Sequence, residues 1–326
     1  MLTYILRRLF YAVPILVGVN LITFVLFFFV SSPDDMARTI LGDKRVDPQL
    51  IQQWKHEHGY DLPRVYNAQE RGLAKVTQTI FWQKSMPLFL LEFGQSDQDG
   101  TFIAREVSRR LWPSLNITLP MFLISLVVDV VLAMIVAFYR GTYIDLAGLL
   151  GCVLLMSISI LFFIIGGQFL FARYLKLFPI SGYDTGLASV KFVLLAVVIG
   201  FLAGLGGSVR YNRTVFLEEI GRDYIRTARA KGLGEGTVLF KHALKNAMIP
   251  ILTSVVVTIP FLITGNLLLE NFFSIPGLGS YVIDAIQKQD FSVVRGMVYL
   301  GSLLYIAALV MVDISYTLVD PRIRLG

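Results

Sequence analysis

Six long apolar stretches divide this chain, and each is long enough to cross a lipid bilayer. A transmembrane helix needs about 20 consecutive apolar residues, because the hydrocarbon core of a membrane is about 30 Å thick. The pattern predicts transmembrane helices at Tyr4–Val30, Trp112–Phe138, Leu146–Phe171, Val190–Val209, Ala247–Leu269 and Val293–Val319. The first stretch offers no clear small-residue cleavage site, so we interpret it as a retained helix rather than a signal peptide. The predicted fold class is therefore an all-α integral membrane protein.

Two polar segments interrupt the apolar pattern. Residues 31–111 are mixed in charge and follow the first predicted helix. Residues 210–246, called here the basic loop, form the densest basic stretch in the second half of the chain. The pattern predicts three parts: a first transmembrane helix at 1–30, an insert at 31–111 and a five-helix core at 112–326 that carries the basic loop.

The distribution of lysine and arginine predicts the orientation in the membrane. Loops on the cytoplasmic side carry an excess of these residues. The basic loop, Arg140 and the basic C-terminal run Asp320–Arg324 therefore place both termini in the cytoplasm and the insert outside. Arg109 and Arg110 are an exception, and we expect them on an amphipathic helix at the membrane interface.

The basic loop predicts a short helix, a glycine turn and a second helix. Asp223–Lys231 is a helical pattern that Gly232 ends, and Val238–Asn246 starts a second helix that enters the membrane. Gly232 is expected to adopt a positive φ, which only glycine does without strain. The result is a compact projection suited to a cleft in another protein.

Small and basic side chains on the first of these helices favour contact with a partner. Ala228 and Ala230 would let another surface approach the backbone closely. Arg226 and Arg229 are three positions apart, so they are expected to share a helix face and to meet acidic groups.

Composition excludes an ordinary soluble domain. The chain of 326 residues is 55% hydrophobic and 16% charged, whereas soluble domains average about 45–50% and about 25%. The net charge of +6 is scattered among the apolar stretches, which favours membrane anchoring over nucleic-acid binding. The single cysteine, Cys152, lies in an apolar run, so no intrachain disulfide is possible.

The insert predicts a capped helix and a small core. Asp47 and Pro48 suit the N-cap and first position of a helix that Gly59 ends. Three aromatic side chains are candidate core anchors: Trp54, Trp82 and Phe102.

Histidines in the insert do not predict a metal site. His56 and His58 are two positions apart and point to different faces of a helix, whereas a helical metal site needs i, i+4 spacing. The third histidine, His242, lies on the other side of the membrane. No metal ligands are predicted.

A Gly/Pro-rich segment, Glu270–Gly279, separates the last two transmembrane helices. Pro276 stops a helix, and Gly277 and Gly279 allow a tight reversal. Ser280–Gln287 is then expected to form a short helix after the reversal. An ordinary turn is the alternative.

Several motifs together resemble the permease subunits of ATP-binding-cassette (ABC) importers, in the dipeptide, oligopeptide and nickel branch. The resemblance is carried by DYIRTARAKGL (223–233), FKHALKNAMIP (240–250), ENFFSIPGLG (270–279), GYDLP (59–63), FGQS (93–96), PISGY (179–183) and DPRIR (320–324). In the general importer pattern a Glu-Ala-Ala triplet precedes a glycine. Here Ala228 and Gly232 match, and Arg226 replaces the glutamate, a departure typical of the peptide branch.

The resemblance implies a function, partners and site residues. It implies a type I importer permease of six transmembrane helices in the cell inner membrane, which forms half of a translocation pathway for di- or oligopeptides. The implied partners are a second homologous permease, two ATPase subunits and an extracytoplasmic substrate-binding protein. The residues implied to contact the ATPase are Asp223, Tyr224, Arg226, Thr227, Ala228, Arg229, Ala230, Lys231 and Gly232. The implied pore-mouth residues are Glu270, Phe273, Pro276, Gly277 and Gly279.

Catalysis by this chain is not expected. It has no GxxxxGK[ST] phosphate-binding loop, so ATP and Mg²⁺ would be used by the partner ATPases, and no cofactor is expected on this chain. Motifs of serine hydrolases and zinc proteases are also missing from the sequence, which disfavours a membrane enzyme.

Two alternatives remain at the level of sequence. The substrate could be nickel, another metal chelate or a small peptide-like solute, because these belong to the same family. A proton-coupled carrier would use Asp129, which lies in the second apolar stretch, as a relay. A structural hydrogen-bonding role is the first interpretation for both Asp129 and Asp313.

Overall fold

The structure, a computed structural model, describes residues 2–30, 32–42 and 46–319. Within these ranges the chain is helical, apart from turns and one isolated antiparallel bridge between Gln95 and Phe102. The C-terminal motif at 320–324 lies outside the described residues. The predicted all-α class is confirmed.

Fifteen α-helices occur within the described ranges. They are α1 Leu2–Val25, α2 Pro33–Leu41, α3 Pro48–Glu57, α4 Ala74–Thr77, α5 Ile80–Phe89, α6 Ile103–Phe138, α7 Tyr143–Ser157, α8 Ile160–Gly167, α9 Ser189–Ile220, α10 Asp223–Ala230, α11 Glu235–Thr237, α12 Leu244–Thr264, α13 Leu267–Phe272, α14 Leu278–Gln287 and α15 Phe291–Val319. Short π-helical segments extend three of them, at Leu26–Val30, Gln168–Tyr174 and Val238–Ala243, and a 3₁₀ turn spans Gly186–Ala188.

The membrane spans follow the apolar stretches. Five helical segments of the described chain are long and apolar enough to cross a bilayer: Phe10–Val30, Ile103–Phe138, Ser189–Ile220, Glu235–Phe272 and Phe291–Ser315. A sixth span is the pair α7 and α8 with its π-helical extension, Tyr143–Ser157 and Ile160–Tyr174, which is bent by 88°. The six-span prediction is confirmed with this bent pair counted as one span.

The break in the third span was not predicted. Ile158 has an extended backbone, and the Ser159 hydroxyl accepts a hydrogen bond from the Leu161 amide to start α8. Both residues lie in a continuous apolar run. Because hydropathy measures only polarity, it does not reveal that a serine within the run caps a new helix.

Two predicted helix boundaries are also wrong. α6 begins at Ile103 rather than near Trp112, and α9 continues to Ile220 rather than ending near Val209. Consequently Arg109 and Arg110 lie on the second membrane helix itself, where both pair with Glu106. Apolar length marks the part of a helix in the bilayer, whereas ion pairs of this kind stabilise its extension into water.

The described chain divides into two units, and the first takes in the residues up to Arg110 together with Tyr281–Ala307. Its core is formed by large side chains from α1, α2, α3 and α5, with Phe24, Phe28, Met36, Trp54 and Ile80 among the buried ones.

The helix predicted in the insert is present, but its core is smaller than expected. Asp47 caps α3, and Gly59 follows it with a φ of 68°. Trp54 is buried as predicted, whereas Trp82 and Phe102 are 40% and 52% exposed and do not anchor the core. The local pattern of aromatic residues does not show which helix face packs inward.

Two of the family-like motifs meet in this unit through buried hydrogen bonds. The Tyr60 hydroxyl of GYDLP donates to Asp97 at 2.9 Å, and the Ser96 hydroxyl of FGQS donates to Asp290. Asp97 also accepts from the Ser292 amide at 3.1 Å. Burial and the neighbouring Asp97 charge raise the pKa of Tyr60, so its hydroxyl remains a donor.

The histidines of this unit have ordinary structural partners. His56 pairs with Asp61 at 2.8 Å, and the ring of His58 bonds the carbonyl of Trp54.

Among the described residues, the second unit comprises Leu111–Ser280 and Ala308–Val319. Helix α9 lies against α7 and α8, and glycines make this packing close. A Cβ on Gly206 would stand 2.6 Å from the carbonyl oxygen of Cys152. An ion pair of 2.6 Å between Arg213 and Asp145 also joins α9 to α7.

Candidate functional site

The basic loop contains the short helix, glycine turn and second helix that the sequence predicts. Helix α10 ends at Ala230, and Gly232 follows with a φ of 74°. After α11, a π-helical segment at Val238–Ala243 runs directly into α12. The predicted positive φ at Gly232 is confirmed.

One face of α10 forms a core inside the loop itself. Ile225 and Ala228 are buried and pack with Val238 and Ala243. The prediction that Ala228 offers room to a partner is therefore wrong, because its small side chain is used to bring the two helices of the loop together. Ala230 is exposed and remains available for close approach.

The opposite face of α10 carries the exposed charges. The Arg226 side chain is 76% exposed and lies 3.6 Å from Asp223, which is itself 96% exposed. Arg229 donates two hydrogen bonds to the carboxylate of Glu235, at 2.9 and 3.1 Å. Arg229 thus closes the turn around Gly232, whereas Arg226 holds only a long, solvent-exposed contact.

Tyr224 joins α10 to the end of α9. Its hydroxyl donates a hydrogen bond to Glu219. Burial raises the pKa of Tyr224 to about 12, with the Glu219 hydrogen bond as the next cause. The hydroxyl therefore stays protonated and holds α10 to the helix before it.

The remaining predicted residues of this loop lie on its surface. Thr227, Lys231 and Gly232 are exposed, and a Cβ added to Gly232 would meet no atom within 4 Å. Position 232 therefore requires glycine because of its positive φ. A larger side chain there would not clash with the rest of the described chain. The open side of Gly232 is free to meet another subunit.

The Glu270–Gly279 segment is an ordered turn between α13 and α14. Phe273, Ile275 and Leu278 are fully buried, while Pro276 is exposed just before α14. Helix α14, Leu278–Gln287, corresponds to the predicted short helix.

The carboxyl group of Glu270 is the centre of this turn. It is fully buried and accepts hydrogen bonds from the amides of Asn266 at 3.1 Å and Ser280 at 3.0 Å. The Gly279 amide and the Ser114 hydroxyl also bond to it. A carboxyl group at the first amides of α14 satisfies donors that the helix itself cannot pair.

The glycines of this turn have a different role from the one predicted. Gly279 lies inside α14, and among the described residues the positive φ of this segment belongs to Ser274, at 54°. A Cβ on Gly277 would stand 2.5 Å from the Ser114 hydroxyl, and one on Gly279 would stand 2.9 Å from a carboxyl oxygen of Glu270. These glycines are needed because they leave space for the Glu270 carboxyl group. Neither of them has a positive φ.

Residues that the sequence did not single out complete this site. The Ser114 hydroxyl, on α6, accepts from the Leu278 amide at 2.7 Å, and Asn266 caps α13 by accepting from the Leu269 amide. Gly265 has a φ of 78°, and its Cβ position also faces Ser114. A glycine at a helix end was a visible signal for position 265, but Ser114 is too distant in sequence to be paired with the turn. We call Ser114, Gly265, Asn266, Glu270, Gly277, Gly279 and Ser280 the Glu270 cluster.

The PISGY motif packs on the same turn. The Gly182 amide donates to the Phe273 carbonyl at 2.8 Å, and the Gln168 side chain donates to the carbonyls of Ile180 and Phe272. Tyr183 accepts from Asn116 on α6 at 2.8 Å. Two motifs almost a hundred residues apart in sequence therefore form one structural site.

A multi-pass helical membrane protein with a basic helical loop and an ordered turn between its last two spans has the features of a transporter permease. Comparison with known proteins defines the family. Residues 129–325 match the family described as binding-protein-dependent transport system inner membrane component. Residues 1–99 match the N-terminal domain of membrane components of the same kind of system.

Relatives over the full length agree with this result. A putative peptide transport system permease protein of Brucella abortus (strain 2308) is 32% identical, with 99% of each chain covered. A glutathione transport system permease protein of Shigella boydii is 29% identical, again with 99% of each chain covered. A dipeptide transport system permease protein of Alkalihalophilus pseudofirmus is 27% identical, with 99% of this chain and 100% of the relative covered.

The chain belongs to the family of binding-protein-dependent transport system inner membrane components. It is a multi-pass inner-membrane permease subunit of an ABC importer, as its motifs predicted. A transport system of this kind works with a binding protein and with ATPase subunits.

Proposed function

We propose that this chain forms half of the translocation pathway of an importer for peptides and that the basic loop couples it to ATPase subunits. Full-length similarity to relatives named for the transport of peptides, dipeptides and glutathione supports the substrate class. Glutathione is a tripeptide, so these names share small peptides as cargo. The other half of the pathway would be a second, homologous permease.

The proposed orientation places the basic loop and both termini in the cytoplasm. The excess of lysine and arginine in the loop supports this side. Residues 31–111 would then form an extracytoplasmic insert that a substrate-binding protein can dock on. The five spans after it, with the basic loop, would form the transport core.

Coupling is proposed to rest on the exposed surface of α10 and its turn. Arg226, Ala230, Lys231 and the open side of Gly232 share this surface, whereas Ala228 supports it from inside. Helix α10 is fixed at both ends, by Tyr224 to α9 and by Arg229 to Glu235. A cleft that grips α10 would therefore move the helices attached to the loop when the ATPases close.

ATP would be bound and hydrolysed by two partner ATPase subunits with Mg²⁺, since no phosphate-binding loop occurs in this sequence. No cofactor is proposed for this chain.

Uptake by the reconstituted complex tests the proposed substrate class. Liposomes that carry the permease pair, the ATPases and the binding protein should take up a labelled dipeptide only when ATP is supplied. A nickel chelate is the matched comparison. Uptake of the chelate without uptake of di-, tri- or pentapeptides would overturn the peptide assignment.

Substitution of Gly232 tests the coupling surface. Asparagine tolerates a positive φ, so Gly232→Asn adds a side chain to the open surface while leaving the turn intact. We expect loss of ATPase retention and of uptake, and the same from Gly232→Asp. Gly236→Asn is the control, because Gly236 is also exposed with nothing within 4 Å of its Cβ position.

Arg226→Glu would reverse the charge of this surface and should weaken coupling. It also removes a local contact with Asp223, so Asp223→Ala is the control for that contact. Wild-type ATPase retention in both Gly232→Asn and Arg226→Glu would show that α10 is not the coupling element.

A further inference from the structure

A cavity of about 490 Å³ lies between α6, α9 and α12 in the second unit. One face of each helix lines it, at positions spaced three or four residues apart. Its polar lining includes Ser125, Asp129, Ser208, Asn212, Ser254 and Thr258. Ligand sites in proteins typically have volumes of about 300–1,000 Å³, so this cavity is large enough for a small peptide.

Glycines on α9 keep the cavity open. Cβ atoms on Gly204 and Gly207 would meet nothing within 4 Å, although both residues line the cavity. Gly200, one turn earlier, is different, because its Cβ would stand 2.5 Å from the sulfur of Met121 on α6. The helices thus touch beside Gly200 and separate beyond it.

Asp129 has a buried carboxyl group, and one of its two oxygens accepts no hydrogen bond within the described chain. Its side chain is 4% exposed, and Oδ1 has no hydrogen-bond partner among the described residues. Ser208 interacts with the same carboxyl group. Asp129 lies nine residues before the end of α6 at Phe138, which is about 14 Å along the helix and close to half of a bilayer core.

A lone carboxylate at this depth is unfavourable unless a cation or a donor pairs with it. The described lining of the cavity contains no lysine or arginine. A structural hydrogen-bonding role for Asp129 would leave Oδ1 unused. The missing partner is therefore expected to come from outside this chain.

Hydroxyl groups across the cavity are also acceptors. The Ser254 hydroxyl donates to the Ile251 carbonyl at 2.7 Å, and the Thr258 hydroxyl donates to the Ser254 carbonyl at 2.8 Å. Because each hydroxyl hydrogen is used within α12, only the oxygen lone pairs remain for a ligand. Together with Asp129 they favour a ligand that carries N–H donors and positive charge.

We propose that this cavity binds peptides in transit and that Asp129 pairs with their ammonium group. This inference rests on the proposed function in peptide import and adds a recognition site within this chain. The cavity accepts the N–H groups of the peptide backbone through Ser254 and Thr258. The binding protein selects the peptide outside the membrane. Within the membrane, Asp129 provides the negative charge that pairs with the ammonium group of the peptide.

The test uses the complete importer in liposomes, with labelled alanyl-alanine as the probe. Asp129→Asn keeps the size of the side chain and removes its charge. Loss of one partner of a buried charge pair weakens binding, so uptake at subsaturating peptide should fall by about thirtyfold or more. Asp129→Glu should recover a large part of this loss. The purified complex should retain its ATPase subunits at the wild-type level, because the variant does not touch the basic loop, so lost assembly would not explain the fall in uptake.

A second pair of variants tests the cavity without touching a charge. Gly204→Leu fills the cavity and should stop uptake in an assembled complex. Gly151→Leu is the matched control, since Gly151 lies on α7 outside the cavity and also has nothing within 4 Å of its Cβ position. This control should transport at the wild-type rate.

Three results would overturn the inference in distinguishable ways. Wild-type uptake by Asp129→Asn would show that the carboxylate does not recognise the peptide, whatever Gly204→Leu does. Loss of the second permease from the Asp129→Asn complex would assign the counter-charge to that subunit instead. Absence of uptake by the wild-type importer for di- and longer peptides would remove the proposed function together with the inference.

Discussion

Replacement of Glu270 by alanine should release the turn before α14. The change would leave four donors without an acceptor. Three are buried, namely the amides of Gly279 and Ser280 and the hydroxyl of Ser114, and the fourth, the Asn266 amide, is partly buried. A hydrogen bond to a neutral acceptor contributes up to about 1.5 kcal/mol to stability, and one to a charged acceptor contributes at least about that much. We therefore use about 1.5 kcal/mol for each bond to Glu270. Three amide bonds of this strength amount to about 4.5 kcal/mol, or roughly a two-thousandfold change in local opening.

Gly277→Ala should have a comparable effect by a different route. Its Cβ would stand 2.5 Å from both the Ser114 hydroxyl and the carboxyl carbon of Glu270. The carboxyl group must then leave its amide partners. Because both substitutions break the same contacts, their effects should not add, and the double variant should open little more than either single one.

Hydrogen–deuterium exchange of the purified importer measures this opening. Peptides that cover residues 265–290 report the amides of Gly279 and Ser280 directly, since local opening controls their exchange. Gly236→Ala is the control, because it also adds one methyl group, to an exposed glycine with free space around it. Exchange in this segment at the wild-type rate in Glu270→Ala, or additive effects of the two substitutions, would refute the reasoning.

Three further predictions concern orientation, stability and the basic loop. In a Cys152→Ser background, cysteines at Gln69 and Glu235 should be labelled from opposite sides of the membrane, and labelling from one side would refute the proposed topology. Gly206→Ala should cost about 1–3 kcal/mol by forcing α9 away from a backbone carbonyl, which a lower melting temperature would show, while Gly207→Ala, with open space, should not. Glu235→Ala should preserve ATPase retention and Arg229→Ala should reduce it, and equal loss in both would assign Arg229 a purely structural role.

Sequence patterns predicted those features of the fold that neighbouring residues determine. Apolar length identified all six membrane spans, because burial in lipid demands it over an entire helix. Capping chemistry located the start of α3 at Asp47, and the need for a positive φ was correctly assigned to Gly232. In each case the residues that determine the feature lie within or next to it in sequence.

Tertiary contacts explain the predictions that failed. Ala228 looked available to a partner, but Val238 and Ala243 cover it from the next turn of the chain. Gly277 and Gly279 looked like turn residues, but a carboxyl group held partly by Ser114 from α6 is what requires them. No local pattern shows which distant side chain fills the space beside a glycine.

The two helices that leave the basic loop both reach the cavity that contains Asp129, and this arrangement makes Tyr224 a test of transmission. Helix α9 is continuous for 32 residues, so it extends for about 48 Å. At one end Glu219 accepts the Tyr224 hydroxyl, and farther back Gly204 and Ser208 line the cavity.

Tyr224→Phe removes this hydroxyl while leaving the packing of Ile225 in place. The same hydroxyl also interacts with Asn246 on α12. If force on α10 passes through this hydroxyl to α9 and α12, the ATPases should stay bound and hydrolyse ATP, but uptake per ATP should fall. Thr214→Ala is the control, because that exposed hydroxyl bonds the backbone of α9 itself and is not among the residues implied to contact the ATPase. An unchanged ratio of uptake to hydrolysis in Tyr224→Phe would place transmission elsewhere, with the direct continuation of the loop into α12 as the remaining route.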